Sequence, residues 1–324
     1  VSVETVTKKR LQLFSGRTNL ALAEEVAAHL GVQLGDPDLV DFPNSEVRPR
    51  FSESIRGADV FVMQSHARPT NHSIMEQLLM IDAAKRASAK RITAVCPYYG
   101  YGRQDRKSAG REPISARLVA DLLKVAGANR VVGVDLHSGQ IQGFFDGPFD
   151  HLTAATVLED YLRAHAPADV VIVSPDPGRA KVMDKFATHL NAGTAVVDKR
   201  RDPHSGTVAS RGVLGDVEGR MCVLVDDEID TAGTICQAAE QVMKAGATDV
   251  WAIATHGVLS DPAIDRLKNS VIGRIVVTNT VPIGPEKEFD KLEVVSVAKV
   301  IADAIDAVFE DTSVSEIFGG DNQS

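Results

Sequence analysis

Residues 223–234 read Val-Leu-Val-Asp-Asp-Glu-Ile-Asp-Thr-Ala-Gly-Thr, and an amphipathic stretch begins at Ile235. An apolar run that ends in acids, hydroxyls and glycine before a helical pattern predicts a buried strand, then a loop, then a helix start. Backbone N–H groups, the hydroxyls of Thr231 and Thr234 and the positive end of a helix dipole suit a phosphate. Asp226 and Asp227 stand where carboxylates grip sugar hydroxyls or a divalent cation. The plainer reading is a helix cap at Asp230-Thr231 with the other acids exposed. Capping needs one carboxylate, and here four acids fall within five positions. A sugar-phosphate site explains the cluster better.

Working outward, short apolar runs alternate with longer amphipathic ones. Strands are expected at Leu11–Phe14, Asp59–Gln64, Arg91–Cys96, Arg130–Asp135, Val170–Ser174, Ala195–Val197, Cys222–Asp226, Val250–Ala254 and Arg274–Thr278. Helices are expected at Asn19–Leu30, His72–Ala87, Ile114–Ala126, Ala154–His165, Arg179–Leu190, Ile235–Ala245, Ala263–Leu267 and Lys299–Phe309. Near-continuous Val/Ile strands alternating with helices predict an α/β fold of mainly parallel sheets covered on both faces. The pattern occurs twice, so two related α/β domains are expected, 1–150 and 151–297, meeting near Gly147-Pro148; the helix at 298–310 is expected to pack back on the first. Ligands in such sheets sit at the carboxyl ends of strands.

The 324 residues carry a net charge of −9 and 44% hydrophobic residues. The charge argues against nucleic acid or an anionic membrane as the main partner. Cys96, Cys222 and Cys236 do not have zinc-site spacing. No run is long enough to span a membrane, and a soluble cytoplasmic protein is expected. No Gly-x-x-x-x-Gly-Lys-[Ser/Thr] loop is present. Two long polar segments, Pro97–Pro113 and Asp198–Gly219, are basic in an acidic chain and are expected to be functional loops.

Several separate motifs then converge. Asp226–Thr234 resembles the phosphoribosyl-diphosphate loop. Pro97-Tyr98-Tyr99-Gly100-Tyr101-Gly102-Arg103-Gln104-Asp105-Arg106-Lys107 resembles the nucleotide loop, and Phe42-Pro43-Asn44-Ser45-Glu46 the adenine loop, of class I ribose-phosphate diphosphokinases. Asp135-Leu136-His137, Gln140–Asp146, Glu112–Arg117 and Asp198-Lys199-Arg200-Arg201 are similar to runs of the same family. The resemblance extends from Leu11 to Phe318. It implies two phosphoribosyltransferase-like domains, the first for nucleotide and the second for ribose phosphate. It also implies diphosphoryl transfer from ATP to the 1-hydroxyl of ribose 5-phosphate.

Residue by residue, the resemblance makes Lys199 and Arg201 catalytic, with Arg201 also at the substrate phosphates. Phe42, Asn44, Glu46, Arg103, Gln104 and Asp105 would bind ATP. Asp226, Asp227, Asp230, Thr231, Ala232, Gly233 and Thr234 would hold ribose phosphate. His137 and Asp176 would bind Mg²⁺, although an imidazole suits Mn²⁺ better. Ser313 and Ser315 would form part of an allosteric phosphate site. Homohexamers, activation by phosphate and inhibition by ADP are further implications.

Taken alone, a Lys-Arg-Arg run is a solvated turn, Phe42 a core or edge residue, and a strand-end His an ordinary hydrogen-bonded one. His66, His72, His151 and His256 receive only that reading. Asn44 stands where Asp is usual in the family, Ser45 where Gly is common, Gly102 where Ala is, and Glu228 where an apolar residue is; Pro177 removes one N–H donor. A phosphoribosyltransferase would share Asp226–Thr234 but would not explain the nucleotide segments. A catalytically weak regulatory subunit would not need Lys199, Arg201, His137 and Asp176.

Overall fold

The computed structural model describes residues 9–176, 178, 180–201 and 208–318; side chains at 180–182, 199–201, 208–211 and 318 are outside that description. The chain forms two compact units. One comprises the chain up to Thr153 together with the segment from Ala298, and the other spans Ala154–Val297.

The first unit runs β1 (Leu11–Ser15), α1 (Leu20–Leu30), β2 (Leu34–Gly35), β3 (Val40–Asp41), β4 (Val47–Arg48), β5 (Asp59–Met63), α2 (Thr70–Arg86), β6 (Arg91–Cys96), α3 (Ser115–Ala126), β7 (Arg130–Val134) and β8 (Phe149–Leu152). Its six-stranded sheet has the order β2-β1-β5-β6-β7-β8, all parallel, while β3 and β4 form a separate antiparallel hairpin. Every residue of β5 is buried, as expected of a strand covered on both faces. The order reverses between β1 and β5, so the loops after these strands form the switch point where α/β sheets place ligands.

The second unit runs α4 (Ala155–His165), β9 (Val170–Ser174), α5 (Ala180–Leu190), β10 (Gly193–Arg201), β11 (Val208–Leu214), β12 (Met221–Ile229), α6 (Gly233–Lys244), β13 (Asp249–Gly257), α7 (Ala263–Lys268), β14 (Arg274–Thr278) and β15 (Leu292–Val295). The sheet order is β11-β10-β9-β12-β13-β14-β15, parallel except for β10–β11. Side chains alternate across it with period two. Val171, Val173, Cys222, Leu224, Val250 and Ala252 enter one core layer, whereas Val170, Ile172, Met221, Val223, Trp251 and Ile253 enter the other. Here the switch point lies between β9 and β12.

Helix α8 (Ala298–Glu310) belongs to the first unit and packs on α1, whose inner face is Leu22, Ala23, Val26 and Ala27. Of α8, Val300, Ile301, Ala304, Ile305 and Val308 are buried. Asp311, just past its end, bonds Lys9 (2.7 Å) and Arg91, and these two cations hold its carboxyl down at about 2.

The expectations missed two kinds of element. β2, β3 and β4 are two residues each, too short to show a period. β8, β11 and β15 are edge strands; β11 lies in a segment expected as a functional loop, the other two in segments read as connectors.

Candidate functional site

In the second unit, β12 does not end at Asp226. Asp226 pairs with Ala254 and Glu228 with His256 along β13, and the strand runs to Ile229. The acids are therefore strand residues with alternating faces: Asp227 is buried, while Asp226 and Glu228 point to the other side, half-buried. This corrects the expected loop boundary, because ladder pairing with β13 outweighs the low strand propensity of acidic residues. Glu228, the position without an apolar side chain, lies beside His256, a buried imidazole bonded to Thr280 Oγ1 at 2.8 Å.

The turn from β12 into α6 is short. Ala232 occupies the helix N-cap with φ +60°, a left-handed conformation that non-glycine residues seldom adopt. An alanine cannot cap with its side chain, so the simple capping reading of Asp230-Thr231 does not describe this helix start. Arg266 of α7, which the sequence reading passed over, donates from Nη1 to the Thr231 carbonyl at 2.9 Å. A Cβ on Gly233 would meet the same Nη1 at 3.3 Å, so glycine lets the guanidinium stand against the loop. Nothing local in the sequence marks Arg266; its role depends on α7 folding beside α6.

Across the switch point, Asp176 follows β9. Its main-chain oxygen accepts from Ser174 Oγ at 2.5 Å, and its Oδ1 accepts from the Gly178 N–H at 2.8 Å. Pro177 lies outside the described residues. Lys199 and Arg201 are on β10, opposite Ser210 and Val208 of β11, after a register shift between Asp198 and Lys199. In its described residues, the basic segment expected as a loop from Asp198 is thus largely an antiparallel ribbon. Its polar composition masks a ladder that satisfies backbone groups irrespective of side chain. The side chains of Lys199 and Arg201 lie outside the described ones.

In the first unit, Phe42–Glu46 forms the turn of the β3–β4 hairpin. Phe42 is 44% exposed, so it is not a core residue. Its N–H donates to the Glu46 carbonyl at 2.8 Å, Asn44 Oδ1 accepts from the Glu46 N–H at 3.2 Å, and Ser45 takes φ +70°. That backbone explains why glycine is common there and adds strain with serine. Arg17, after β1, ties the hairpin down. Its Nη1 and Nη2 each lie 2.7 Å from Asp41, and its Nε lies 2.8 Å from the buried Glu76 of α2. The shared charge keeps Arg17 protonated and lowers the Asp41 pKa. Arg17 and Glu76 were also missed, since their pairing spans 59 residues.

The segment Pro97–Pro113 follows β6. Tyr99 is buried and donates to the Ala116 carbonyl at 2.9 Å; Tyr101 adopts φ +62° and bonds Asn71. Gln104 Oε1 accepts from Ser115 Oγ at 2.6 Å, and Asp105 Oδ2 from Ser138 Oγ at 2.7 Å. A Cβ on Gly102 would lie 3.5 Å from the His137 Cβ, which puts the β7 end against this segment. Asp105, His137 and Ser138 thus form one neighbourhood, and Arg103 and Gln104 enter it through the same chain turn. Asp135, two residues before His137, has φ +37°. Ser313 and Ser315, after α8, have hydroxyls 2.7 Å apart.

Among the described residues, no three His, Cys, Asp or Glu side chains converge as a preformed metal cage, and no helix is long and apolar enough to cross a membrane. His137 belongs to the first unit and Asp176 to the second.

Residues 11–127 match the N-terminal domain of ribose phosphate pyrophosphokinase, and residues 207–319 the phosphoribosyl synthetase-associated domain. Ribose-phosphate pyrophosphokinase of Streptomyces coelicolor is 54% identical over 318 residues, 98% of each chain. That of Bifidobacterium longum is 56% identical over 96% of this chain and 93% of its own.

The chain belongs to the ribose-phosphate pyrophosphokinase family.

A crystal structure of phosphoribosylpyrophosphate synthetase from Mycobacterium smegmatis superposes with a TM-score of 0.89 at 52% identity, over 94% of this chain and 100% of that one. Membership in this pyrophosphokinase family confirms the resemblance read from the motifs, the parallel α/β architecture and the assignment to transferases of nucleotide biosynthesis. Within that frame, the positive-φ residues Ser45, Tyr101, Asp135 and Ala232 are notable for their placement. Each falls in a segment the motifs had singled out, while Asp38, Ser88, Asn191, Leu259 and Asp311 take positive φ outside those segments.

Proposed function

We propose that this protein transfers the β,γ-diphosphoryl group of ATP to the 1-hydroxyl of ribose 5-phosphate, giving AMP and 5-phosphoribosyl 1-diphosphate in the cytoplasm. The product would feed nucleotide, histidine and tryptophan synthesis. The observation that carries this reading is the coexistence, in one chain, of the acid-bearing end of β12 with its short turn into α6, and a side-chain-anchored segment after β6 that we read as the nucleotide loop. A phosphoribosyltransferase requires the first and has no use for the second.

In the reaction, the sugar O1 attacks the β-phosphorus, loses its proton, and the bond from that phosphorus to the α–β bridging oxygen breaks. Charge builds on the transferred group, and cationic side chains are the means of neutralising it. Lys199 and Arg201 take that role. Asp226 and Asp227 hold the ribose hydroxyls, and the Asp230–Thr234 backbone and hydroxyls hold the 5-phosphate. Phe42 stacks on adenine, Asn44 and Glu46 offer acceptors to its amine, and Arg103, Gln104 and Asp105 serve the ribose and phosphates. The carboxylate oxygens of Asp176 suit Mg²⁺, and His137 suits Mn²⁺ better. Such an ion, when bound, supplies further charge neutralisation on the phosphates.

The protein acts as a homo-oligomer, a hexamer by family analogy. An exposed apolar stripe at Ile114, Leu118, Leu122 and Val125 recurs at helical spacing along α3 and supports self-association. Phosphate activation through Ser313 and Ser315, and inhibition by ADP, complete the proposal. Light scattering at working concentration tests the assembly, and a monomer rejects it.

³¹P NMR of the purified protein with ATP, Mg²⁺ and ribose 5-phosphate, with and without inorganic phosphate, tests the reaction. AMP together with a C1-linked diphosphate is the expected result. ADP together with a sugar monophosphate would reject diphosphoryl transfer.

A further inference from the structure

His66 is wholly buried in the loop after β5, at the switch point of the first unit. Its ring makes two close hydrogen bonds and one longer contact, Cys96 Sγ lying 3.8 Å from Nε2. Nε2 lies 2.7 Å from Gln77 Oε1, and Nδ1 accepts the Gly100 N–H at 3.0 Å. The protonation pattern follows from the neighbours. The Gln77 amide nitrogen donates to the carbonyls of Val62 (3.0 Å) and Val95 (3.3 Å), which turns its oxygen toward the ring. An amide oxygen only accepts, so Nε2 must carry the proton, and Nδ1 is left with the lone pair that Gly100 requires. The Cys96 thiol donates to the same Gln77 oxygen at 3.5 Å. A chain of directed bonds thus runs from the floor of the sheet to one backbone N–H of the Pro97–Pro113 segment.

The same residue grips that segment a second time. The His66 N–H donates to the Tyr98 carbonyl at 2.9 Å. Gly100 approaches so closely that a Cβ there would fall 2.8 Å from the His66 Cβ. The chain turns through Tyr101 at positive φ and delivers Arg103, Gln104 and Asp105 immediately afterwards.

We propose that His66, held as the Nε2–H tautomer by Gln77, is a positioning residue that fixes the Tyr98–Asp105 segment in its nucleotide-binding conformation. The proposal rests on reading this segment as the ATP loop and adds the residue that sets its shape. A ligand whose competent loop conformation is only fractionally populated binds more weakly by that fraction. Loss of the Nδ1 acceptor therefore raises the KM for ATP and leaves kcat nearly unchanged, because His66 touches no reacting group.

The test uses the full chain and three variants. His66→Asn keeps an acceptor near the position of Nδ1, His66→Gln moves its amide toward Nε2, and His66→Ala removes both. Hydrogen exchange of the 98–106 segment without nucleotide is measured beside KM and kcat. In His66→Ala and His66→Gln, exchange is expected to quicken by roughly tenfold, the scale of one lost hydrogen bond, with a comparable rise in KM for ATP. His66→Asn should recover most of both. Equal loss in the Asn and Ala variants would mean that the ring only fills space, and wild-type behaviour in all three would equally overturn the proposal. Arg103→Ala separates the two layers of the argument. If it leaves the KM for ATP unchanged while His66→Ala still loosens the segment, the ATP reading falls and the anchor stands.

Discussion

The two basic segments of this acidic chain look alike in composition and are built in opposite ways. Pro97–Pro113 has little ladder pairing and is held by side chains: the His66 ring at Gly100, Tyr99 at Ala116, Ser115 at Gln104 and Ser138 at Asp105. The segment from Asp198 is held by backbone, as β10 and β11 pair residue against residue through Arg201 and Val208. Side-chain anchoring fixes a specific shape but concentrates it in a few buried bonds. Ladder pairing tolerates almost any side chain and leaves Lys199 and Arg201 at liberty to be chosen for chemistry. Under the proposed function, the first solution would suit a nucleotide-binding loop and the second a cationic arm.

The sharpest way to break the comparison is Lys199→Ala. The ladder does not depend on that side chain, so the fold should persist while turnover falls by roughly 10²–10³, as for other transition-state charge partners. Turnover within a few-fold of wild type, with an unchanged melting curve, would remove Lys199 from the mechanism.

Acid should act on the other segment. Burial lowers the His66 pKa from its ordinary 6.5 to about 4. Between those values the unfolded chain binds more protons than the folded one. The His66 contribution is therefore fully present above about 6.5 and declines as pH falls toward 4. The melting temperature of His66→Asn should depend less steeply on pH across this window than that of the wild type. Parallel curves would show that the histidine takes up protons equally in both states, its pKa unchanged by burial.

Smaller effects separate two glycines of one segment. Gly100→Ala forces a contact that backbone and ring must relieve, and a cost of roughly 1–3 kcal/mol is expected from overpacking of this kind, read by thermal melting. Gly102→Ala meets the Tyr99 carbonyl at 3.3 Å, with His137 and Ile141 at ordinary contact distances of 3.5 and 3.9 Å, and its φ is not in the left-handed region. Its effect should be near neutral, or stabilising by about 0.4–1 kcal/mol through the unfolded chain. An equal penalty at both sites would mean that side-chain anchoring is spread evenly along the segment and is not focused on Gly100.

How much was legible in the sequence divides along the same line. Continuous apolar strands such as Val170–Ser174 and Arg91–Cys96 were legible to the residue, because a strand buried on both faces leaves no ambiguity. The end of β12 was not, since Asp226, Asp227 and Glu228 pair along β13 despite their charge. The motif segments were readable as ordered strings. Their supports were not: Arg17 with Glu76, His66 with Gln77, and Arg266 with Thr231 are polar pairs far apart in sequence, and no local period announces them. His66 looked like any strand-end histidine until Gln77 fixed its tautomer.

The return of α8 to the first unit has a consequence for the order in which the chain is made. The second unit is one uninterrupted stretch, Ala154–Val297, and its core is complete once Val297 has left the ribosome. The first unit begins earlier yet finishes later, because the packing of α1 against α8 waits until residues 298–310 emerge. The half translated first is thus the half that waits, and during synthesis its α1 face is the apolar surface a chaperone would meet.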